Sequence, residues 1–439
     1  MILGGAIIKI IIDLLPKVCY NINILYLHKG DNAMKKCYSR ILSLLLALIM
    51  LFSLTACDPD TDTDISTESG TSADEATEGD NGTTDAGTDA PEEPEKIKNI
   101  ILIIGDGMGK QHIQSGVLDR GSKYSFQSWL NTSANTDSVN TAGVGGVLTD
   151  SAAAATALAT GTLTVNSYLG VDHQGALLET IMDHAAKQGK STGIATTDNL
   201  YGATPAGFSA HCNNRNDYYT ITSTQLQSGV NFLCGLHDYT YDQASYTSMI
   251  AGSPYYYTKS LNDEKIMSND QVMLSLNIEN GASDSVSLAD VTKKALSYLE
   301  RDEDGFVLMI EQAYIDKNAH NNNFPEMLKR MHSLGETVDA IMEWMGDRED
   351  TAVLITADHE TGGLSVSDTI KYGNTYNGQN GPIYYKWTTT GHTKSVVSLY
   401  VYGFYTDFGE LEEYKSDYLI KNTEIFDLMK KILDGNAVQ

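Results

Sequence analysis

Several short stretches of the 439-residue chain set metal-ligating or nucleophilic side chains at the ends of apolar runs. Asp106 lies in Gly105-Asp106-Gly107-Met108-Gly109, where a carboxylate among flexible glycines is well placed to hold a cation. Turn chemistry alone also explains an aspartate in such a loop. In Ile310-Glu311-Gln312-Ala313-Tyr314-Ile315-Asp316-Lys317-Asn318-Ala319-His320, Asp316 and His320 are spaced to share one face of a helical turn. A metal pair and a solvated helix face both use that spacing. Asp358-His359 offers an adjacent carboxylate and imidazole, both able to ligate zinc, and either residue taken singly also fits a structural role. His392 stands alone in Thr390-Gly391-His392-Thr393, a loop where a surface histidine is the ordinary occupant. Ser151 follows Asp150 and heads an alanine run. A hydroxyl at a helix N-terminus sees backbone N–H groups and the positive dipole end, which favour an alkoxide and a bound phosphate. The same position suits a plain N-cap.

Elements must bring these residues together. Lys98 to Ile104 is an Ile/Leu run stopped by glycines, as expected of a buried parallel strand that ends in a tight loop. Phe306 to Ile310 and Thr351 to Thr356 read alike, Ser191 to Thr196 reads as a short strand, and Ser395 to Tyr402 is β-rich. Ala152 to Ala159 is a strong helix former closed by Gly161. Further helices are expected over Leu177 to Gln188, Met327 to Met345 and Glu424 to Leu433. Strands alternating with helices imply an α/β fold, a three-layer αβα sandwich with a mostly parallel central sheet. In such sheets ligands collect at the carboxyl ends of strands, and here the polar clusters follow the strands. Residues 236–280, rich in Tyr, Asn and Ser, break the alternation and read as an insertion or cap near the site.

Taken as an ordered set, the stretches resemble the bacterial alkaline phosphatase family. They are Asp106-Gly107-Met108-Gly109, Thr149 through Ala157, Ala203-Thr204-Pro205-Ala206, Glu311 through His320, Thr356-Ala357-Asp358-His359 and Gly391-His392-Thr393, and they span Asn99 to about Gly403. The resemblance implies one zinc held by Asp316, His320 and His392, and a second held by Asp106, Asp358 and His359 with Ser151 at its open position. It implies a magnesium ion reached by Asp106 and completed by Thr204 and Glu311. Arg215 falls at the family's phosphate-binding arginine, and Lys317 at a lysine found near the phosphate in some members. The implied activity is hydrolysis of small phosphomonoesters through a phosphoserine at Ser151, with release of inorganic phosphate. The donor chemistry agrees, because zinc suits the histidine-containing sets and magnesium the all-oxygen set. A guanidinium can also grip two phosphate oxygens bidentately, which a lysine cannot copy. One position departs from the family: two residues before Thr204, where members commonly carry Asp or His, this chain has Gly202.

The net charge of −27 is unevenly spread. From Asp58 to Glu95 there are fourteen acidic residues and no basic one, amid Thr, Ser, Gly and Ala. So little apolar material is expected to form an extended, disordered tether over residues 58–96. Ahead of it, Lys35-Lys36, an apolar run from Ile41 to Leu54 and Leu54-Thr55-Ala56-Cys57 make a secretory signal over residues 34–57. That segment resembles a bacterial lipoprotein signal, with Cys57 diacylated as the mature N-terminus. The competing transmembrane anchor fits less well, because the apolar core is short and ends in Cys57-Asp58-Pro59. Residues 1–33 are read as an over-extended start, with Met34 the alternative to Met1. The expectation is a catalytic domain over residues 97–439, lipid-anchored through Cys57 at the outer face of a bacterial cytoplasmic membrane.

No Lys/Arg stripe suggests nucleic acid as a partner. Cys212 and Cys234 are the cysteines of the domain, and both a disulfide and two free thiols remain open, as does a homodimer. Relatives sharing such a metal framework hydrolyse phosphodiesters, phosphonates or sulfates, but Ser151 with Arg215 favours a dianionic monoester. A surface lipoprotein that only binds phosphate or metal would need no activated serine.

Overall fold

The computed structural model describes residues 97–135, 148–236, 243–403 and 420–435. The expected signal, Cys57 and the acidic tether lie outside these residues. The chain opens with β1 (Asn99–Gly105), α1 (Lys110–Arg120), β2 (Leu130–Asn135), α2 (Ser151–Thr160) and α3 (Ile181–Lys187). Next come β3 (Ser191–Asn199), α4 (Ala203–Ser209), α5 (Tyr218–Gln225), β4 (Phe232–Leu236), α6 (Gln243–Ala251), β5 (Tyr256–Thr258) and β6 (Val272–Ser275). Then follow α7 (Leu288–Leu299), β7 (Phe306–Gln312), α8 (Tyr314–His320), α9 (Phe324–Met345) and β8 (Thr351–Thr356). Short strands β9 (Glu360–Thr361), β10 (Ser365–Ser367), β11 (Asn374–Gly378), β12 (Gly381–Lys386) and β13 (His392–Thr393) precede β14 (Val397–Tyr402), β15 (Ile420–Lys421) and α10 (Asn422–Leu433).

Every residue of β1, β7 and β8 is buried, as their continuous apolar runs require of strands covered on both faces. They form the middle of a ten-stranded sheet in the order β15-β2-β14-β8-β1-β7-β3-β4-β6-β5. Pairing is parallel except where β14 runs against β8 and β2. Helix α7 packs on β3 and β7 together with α9 and α1, while α3 packs on the same two strands with α2 and α10, which gives the three layers. Each fully buried Ile or Leu of β1 contributes about 1.5–3 kcal/mol by leaving water.

The register is what matters for function. Ile104 stands opposite both Glu311 and Thr356, and Thr196 stands opposite Glu311. The chain therefore leaves four neighbouring strands at one level, and the residues just beyond them share one edge of the sheet.

Some boundaries differ from the sequence reading. The helix expected from Leu177 begins only at Ile181, because Thr180 and Asp183 form a capping box and Leu177 stays exposed. Within the Tyr-rich stretch, β5 and β6 pair in parallel and extend the sheet beyond β4. Cys212 and Cys234 are free, buried thiols. No helix among the described residues is long and apolar enough to cross a membrane.

Candidate active site

Ser151 is the first residue of α2 and is almost fully buried. Asp150 caps the helix by accepting the Ala153 N–H at 3.0 Å. Its other oxygen accepts the Ser167 N–H at 2.9 Å and Arg215 Nη1 at 3.1 Å. One carboxylate thus fixes both the nucleophile's helix and the arginine. Ser167 takes a left-handed backbone (φ 74°) that lets its carbonyl accept the Arg215 N–H at 2.8 Å as well. Alanines make the rest of α2 thin enough for α4 to approach: a Cβ on Gly207 would meet the Ala155 Cβ at 2.7 Å. That approach draws Thr204, on α4, toward the same edge.

Asp316, His320 and His392 come together, with ligand atoms within 4.8 Å of one another. His320 comes from α8, and the β9–β13 pairing sets His392 opposite Thr361. Nδ1 of His392 lies 2.7 Å from the Thr149 carbonyl, and Nδ1 of His320 bonds the Thr390 carbonyl. Because a carbonyl only accepts, both Nδ1 atoms carry protons, which leaves Nε2 of each ring as the atom able to ligate. Those Nε2 atoms are 3.2 Å apart and 3.3 and 3.7 Å from Asp316 Oδ1. Three potential ligand atoms converge here, an arrangement that suits a cation.

Asp106, Asp358 and His359 form a second group, all buried. Gly107 turns the chain here with φ 71°, and a Cβ on it would meet the Asp316 Cα at 2.9 Å. Its N–H donates to Asp358 Oδ1 at 3.0 Å. His359 Nε2 lies 3.2 Å from Asp358 Oδ2, 3.7 Å from Asp106 Oδ1 and 3.2 Å from Ser151 Oγ. The two groups adjoin: the His359 and His392 rings stack with centroids 3.5 Å apart. Thr361 Oγ1 donates to Asp316 at 2.5 Å and lies 3.3 Å from His359 Nδ1.

The electrostatics call for positive charge. Burial, then the charges of Asp358, Asp316 and Glu311, pushes Asp106 well above the carboxylate range. Burial, then the charge of Asp198, lifts Glu311 to about 8. Burial lowers His359 well below its ordinary value, keeping it neutral and able to ligate. Asp106 Oδ1 and Asp358 Oδ2 are buried facing each other and His359 with no donor from elsewhere, and Thr204 Oγ1 has only the Glu311 carboxylate beside it. Buried lone pairs without donors are costly, so the residues present fit bound cations. Lys317 pairs with Asp198 and lies 4.7 Å from the Tyr314 ring centroid. Burial pulls the lysine down, and Asp198 more than reverses it.

Without metal, the pH dependence of stability has a definite sign. Raised carboxylates keep protons in the folded state that the unfolded chain has released, so stability falls as pH rises, for Glu311 from about 4.5 to about 8. Buried histidines act oppositely: His112, lowered by burial to about 4, and His359 cost stability as pH falls below 6.5. The two effects oppose each other below 6.5, and only the carboxylates act above it. The metal-free protein should therefore lose melting temperature between pH 6.5 and 8, while the metal-loaded protein should not. A flat profile for the metal-free protein in scanning fluorimetry would remove this account.

A parallel-sheet edge that gathers two adjoining carboxylate–imidazole groups around a helix-capped serine defines an α/β protein with groups that could hold metal ions beside a buried hydroxyl. The chain belongs to the alkaline phosphatase family, whose sequence model matches residues 97–248 and 268–417. Alkaline phosphatase 3 of Bacillus subtilis is 29% identical over 297 residues, covering 62% of this chain and 63% of that protein. Alkaline phosphatase 4 of the same organism is 30% identical over 294 residues, with the same coverage of each. The match thus spans just under two thirds of either relative. The alkaline phosphatase of the Antarctic bacterium TAB5 shares the fold, with a TM-score of 0.66 at 24% identity over 78% of this chain and 99% of that one. So does that of Thermus thermophilus, with a TM-score of 0.64 at 18% identity over 78% and 91%.

Asn166, Ser167, Asp198 and Thr361 also shape the site, and sequence reasoning missed them. Asn166 accepts the Asp150 N–H at 3.2 Å and donates to the Leu148 carbonyl at 3.0 Å. All four are polar residues in turns or strand ends, which carry no periodic signal.

Proposed function

We propose that this protein is a metal-dependent phosphomonoester hydrolase that acts through a phosphoserine at Ser151 and releases inorganic phosphate. The observation that carries this reading is the position of Ser151: at a helix N-terminus, 3.2 Å from His359 of one ligand group, with Arg215 anchored to its helix cap. Asp316, His320 and His392 would hold one zinc, Asp106, Asp358 and His359 a second, and Asp106, Thr204 and Glu311 a magnesium ion. Such ions, when bound, supply Lewis acidity that favours the serine alkoxide and offsets charge on the entering and leaving oxygens.

The chain's own residues do the rest. Ser151 gives its hydroxyl proton to solvent and attacks phosphorus; the new Oγ–P bond forms as the ester P–O bond breaks, and the leaving oxygen takes a proton from solvent and departs as the alcohol. Water then cleaves the Oγ–P bond, which restores the serine and frees phosphate. Arg215, held by Asp150 through one nitrogen, keeps other donors for the phosphate oxygens. Arg215→Lys is expected to raise both KM and the inhibition constant for inorganic phosphate about tenfold, roughly 1.4 kcal/mol, with a smaller change in kcat. An unchanged phosphate inhibition constant would remove Arg215 from the phosphate site.

The test of the activity is the purified, zinc- and magnesium-loaded protein with 4-nitrophenyl phosphate beside bis(4-nitrophenyl) phosphate. Preference for the monoester supports the reading, and preference for the diester overturns it.

We also infer that Cys57 carries the lipid that holds the protein at the outer face of the cytoplasmic membrane, since two acyl chains suffice for stable anchoring. The native protein should partition into detergent and Cys57→Ser into water. Partition of both into water would refute the anchor.

A further inference from the structure

The loop between β6 and α7 sets a carboxylate against the junction that leads into α8. Glu279 has a left-handed backbone (φ 52°), which a non-glycine residue keeps only where its surroundings hold it. Its N–H donates to the Val286 carbonyl at 3.0 Å, and its side chain is only 10% exposed. One carboxylate oxygen accepts the Leu288 N–H at 2.9 Å and the Ser333 hydroxyl. The other accepts Gln312 Nε2 at 3.0 Å and Arg330 Nη1 at 3.1 Å. Donors from β7, α7 and α9 thus meet on one side chain.

Gln312 ends β7 and is fully buried. Its amide nitrogen also donates to Ser333 Oγ at 3.0 Å, so its oxygen faces the other way. That oxygen accepts Thr197 Oγ1 at 3.1 Å and the Tyr314 N–H at 3.2 Å, while Thr197 Oγ1 accepts the Ala313 N–H at 2.9 Å. These two N–H groups open α8, whose own cap residue, Ala313, supplies no side-chain bond. A helix of seven residues is too short to hold itself, so its start depends on such partners. Turned over, the Gln312 amide would set its NH₂ against the Tyr314 N–H. A carboxylate at 279 accepts and cannot donate, which keeps the amide from turning. Arg330 carries a second contact from the same carboxylate: its Cζ lies 5.6 Å from the Tyr314 ring centroid, and Lys317 Nζ lies 4.7 Å from that centroid. Both cations are within reach of the ring's π-system.

We propose that Glu279 is a positioning residue of the active site. By orienting Gln312 and Arg330 it sets the start of α8 and the Tyr314 ring, and so places Asp316, Lys317 and His320. The Tyr-rich stretch that ends near residue 280 then supports the site from behind through this carboxylate. The roles of Asp316, Lys317 and His320 rest on the proposed function, whereas the hold of Glu279 on α8 can be read without any turnover.

The experiment is hydrogen exchange of the zinc- and magnesium-loaded full chain, read by mass spectrometry and paired with hydrolysis of 4-nitrophenyl phosphate. Glu279→Gln keeps the shape of the side chain and sets a donor among donors. Amides of residues 313–320 should then exchange at least tenfold faster, while those of β1 and α2 change less than twofold. The value of kcat/KM should fall about tenfold. Gln312→Met, which fills a similar volume without an amide, should act alike, and the double variant should be no worse than either single one, because both act along one path. Glu279→Asp keeps the charge and draws it back from Gln312; it is the milder variant should Glu279→Gln not fold, with the same local exchange expected. Unchanged exchange at 313–320, a uniform rise across β1, α2 and α8, or losses that multiply in the double variant would each overturn the proposal. A native protein that hydrolyses monoesters, with exchange at 313–320 and kcat/KM untouched by Glu279→Gln, sinks this inference and leaves the proposed function standing. A native protein that hydrolyses no monoester, with 313–320 loosened in the variant, sinks the function and leaves the hold of Glu279 on α8 in place.

Discussion

The Ser151→Ala protein should hydrolyse 4-nitrophenyl phosphate roughly 10³–10⁶-fold more slowly than the native enzyme, the range spanned when a covalent nucleophile is lost from a site whose other parts persist. The substitution removes one oxygen from a buried position and leaves the Asp150 cap, the helix and both ligand groups in place. Zinc content and melting temperature should therefore hardly change, which separates lost chemistry from lost structure. Acid-quenched native enzyme incubated with labelled phosphate should carry label on Ser151, and the variant should carry none. A variant that kept more than a tenth of native activity would sink the covalent route.

Stripping the metals should lower activity by a similar order, at least about 10³-fold, since paired cations supply the charge stabilisation of phosphoryl transfer. The geometry leaves little to replace them. Nε2 of His320 and of His392 both point at Asp316, Asp106 and Asp358 are two buried carboxylates face to face, and His359 is held neutral. Zinc alone should restore part of the rate and zinc with magnesium more. The decisive reading is the chelated protein: full activity there would place the chemistry outside these two groups.

How much of this could be read from the sequence depended on whether a residue's partners were local. The Ile/Leu run of β1, ended by glycines, announces both its strand and the carboxylate that follows it, and the same holds for Asp358 after β8. Asp316 and His320 share a helical turn, so their pairing is visible in the spacing. His392 has no local signal. Only the short β9–β13 ladder brings it to Asp316, and in the sequence only the family resemblance pointed to it. Asp198 was invisible for the same reason, because its partner Lys317 is 119 residues away. Strands β5 and β6, three and four residues long, are too short to stand out from a Tyr- and Asn-rich stretch. Helix α3 starts late because a four-residue capping box outweighs the two leucines before it.

Helix α2 bears on how readily this scaffold could be redirected to other substrates. All ten of its residues are buried, six of them alanine, and beyond Ser151 its side chains face other parts of the protein. A library that randomised it would yield mostly misfolded clones, since one added methylene in such a packed layer already costs about 1–3 kcal/mol. Useful variation lies instead at exposed positions, such as Tyr218 and Tyr219 at the start of α5 and Ile370 after β10. Selection for a new leaving group would search such exposed positions and leave the engine block untouched.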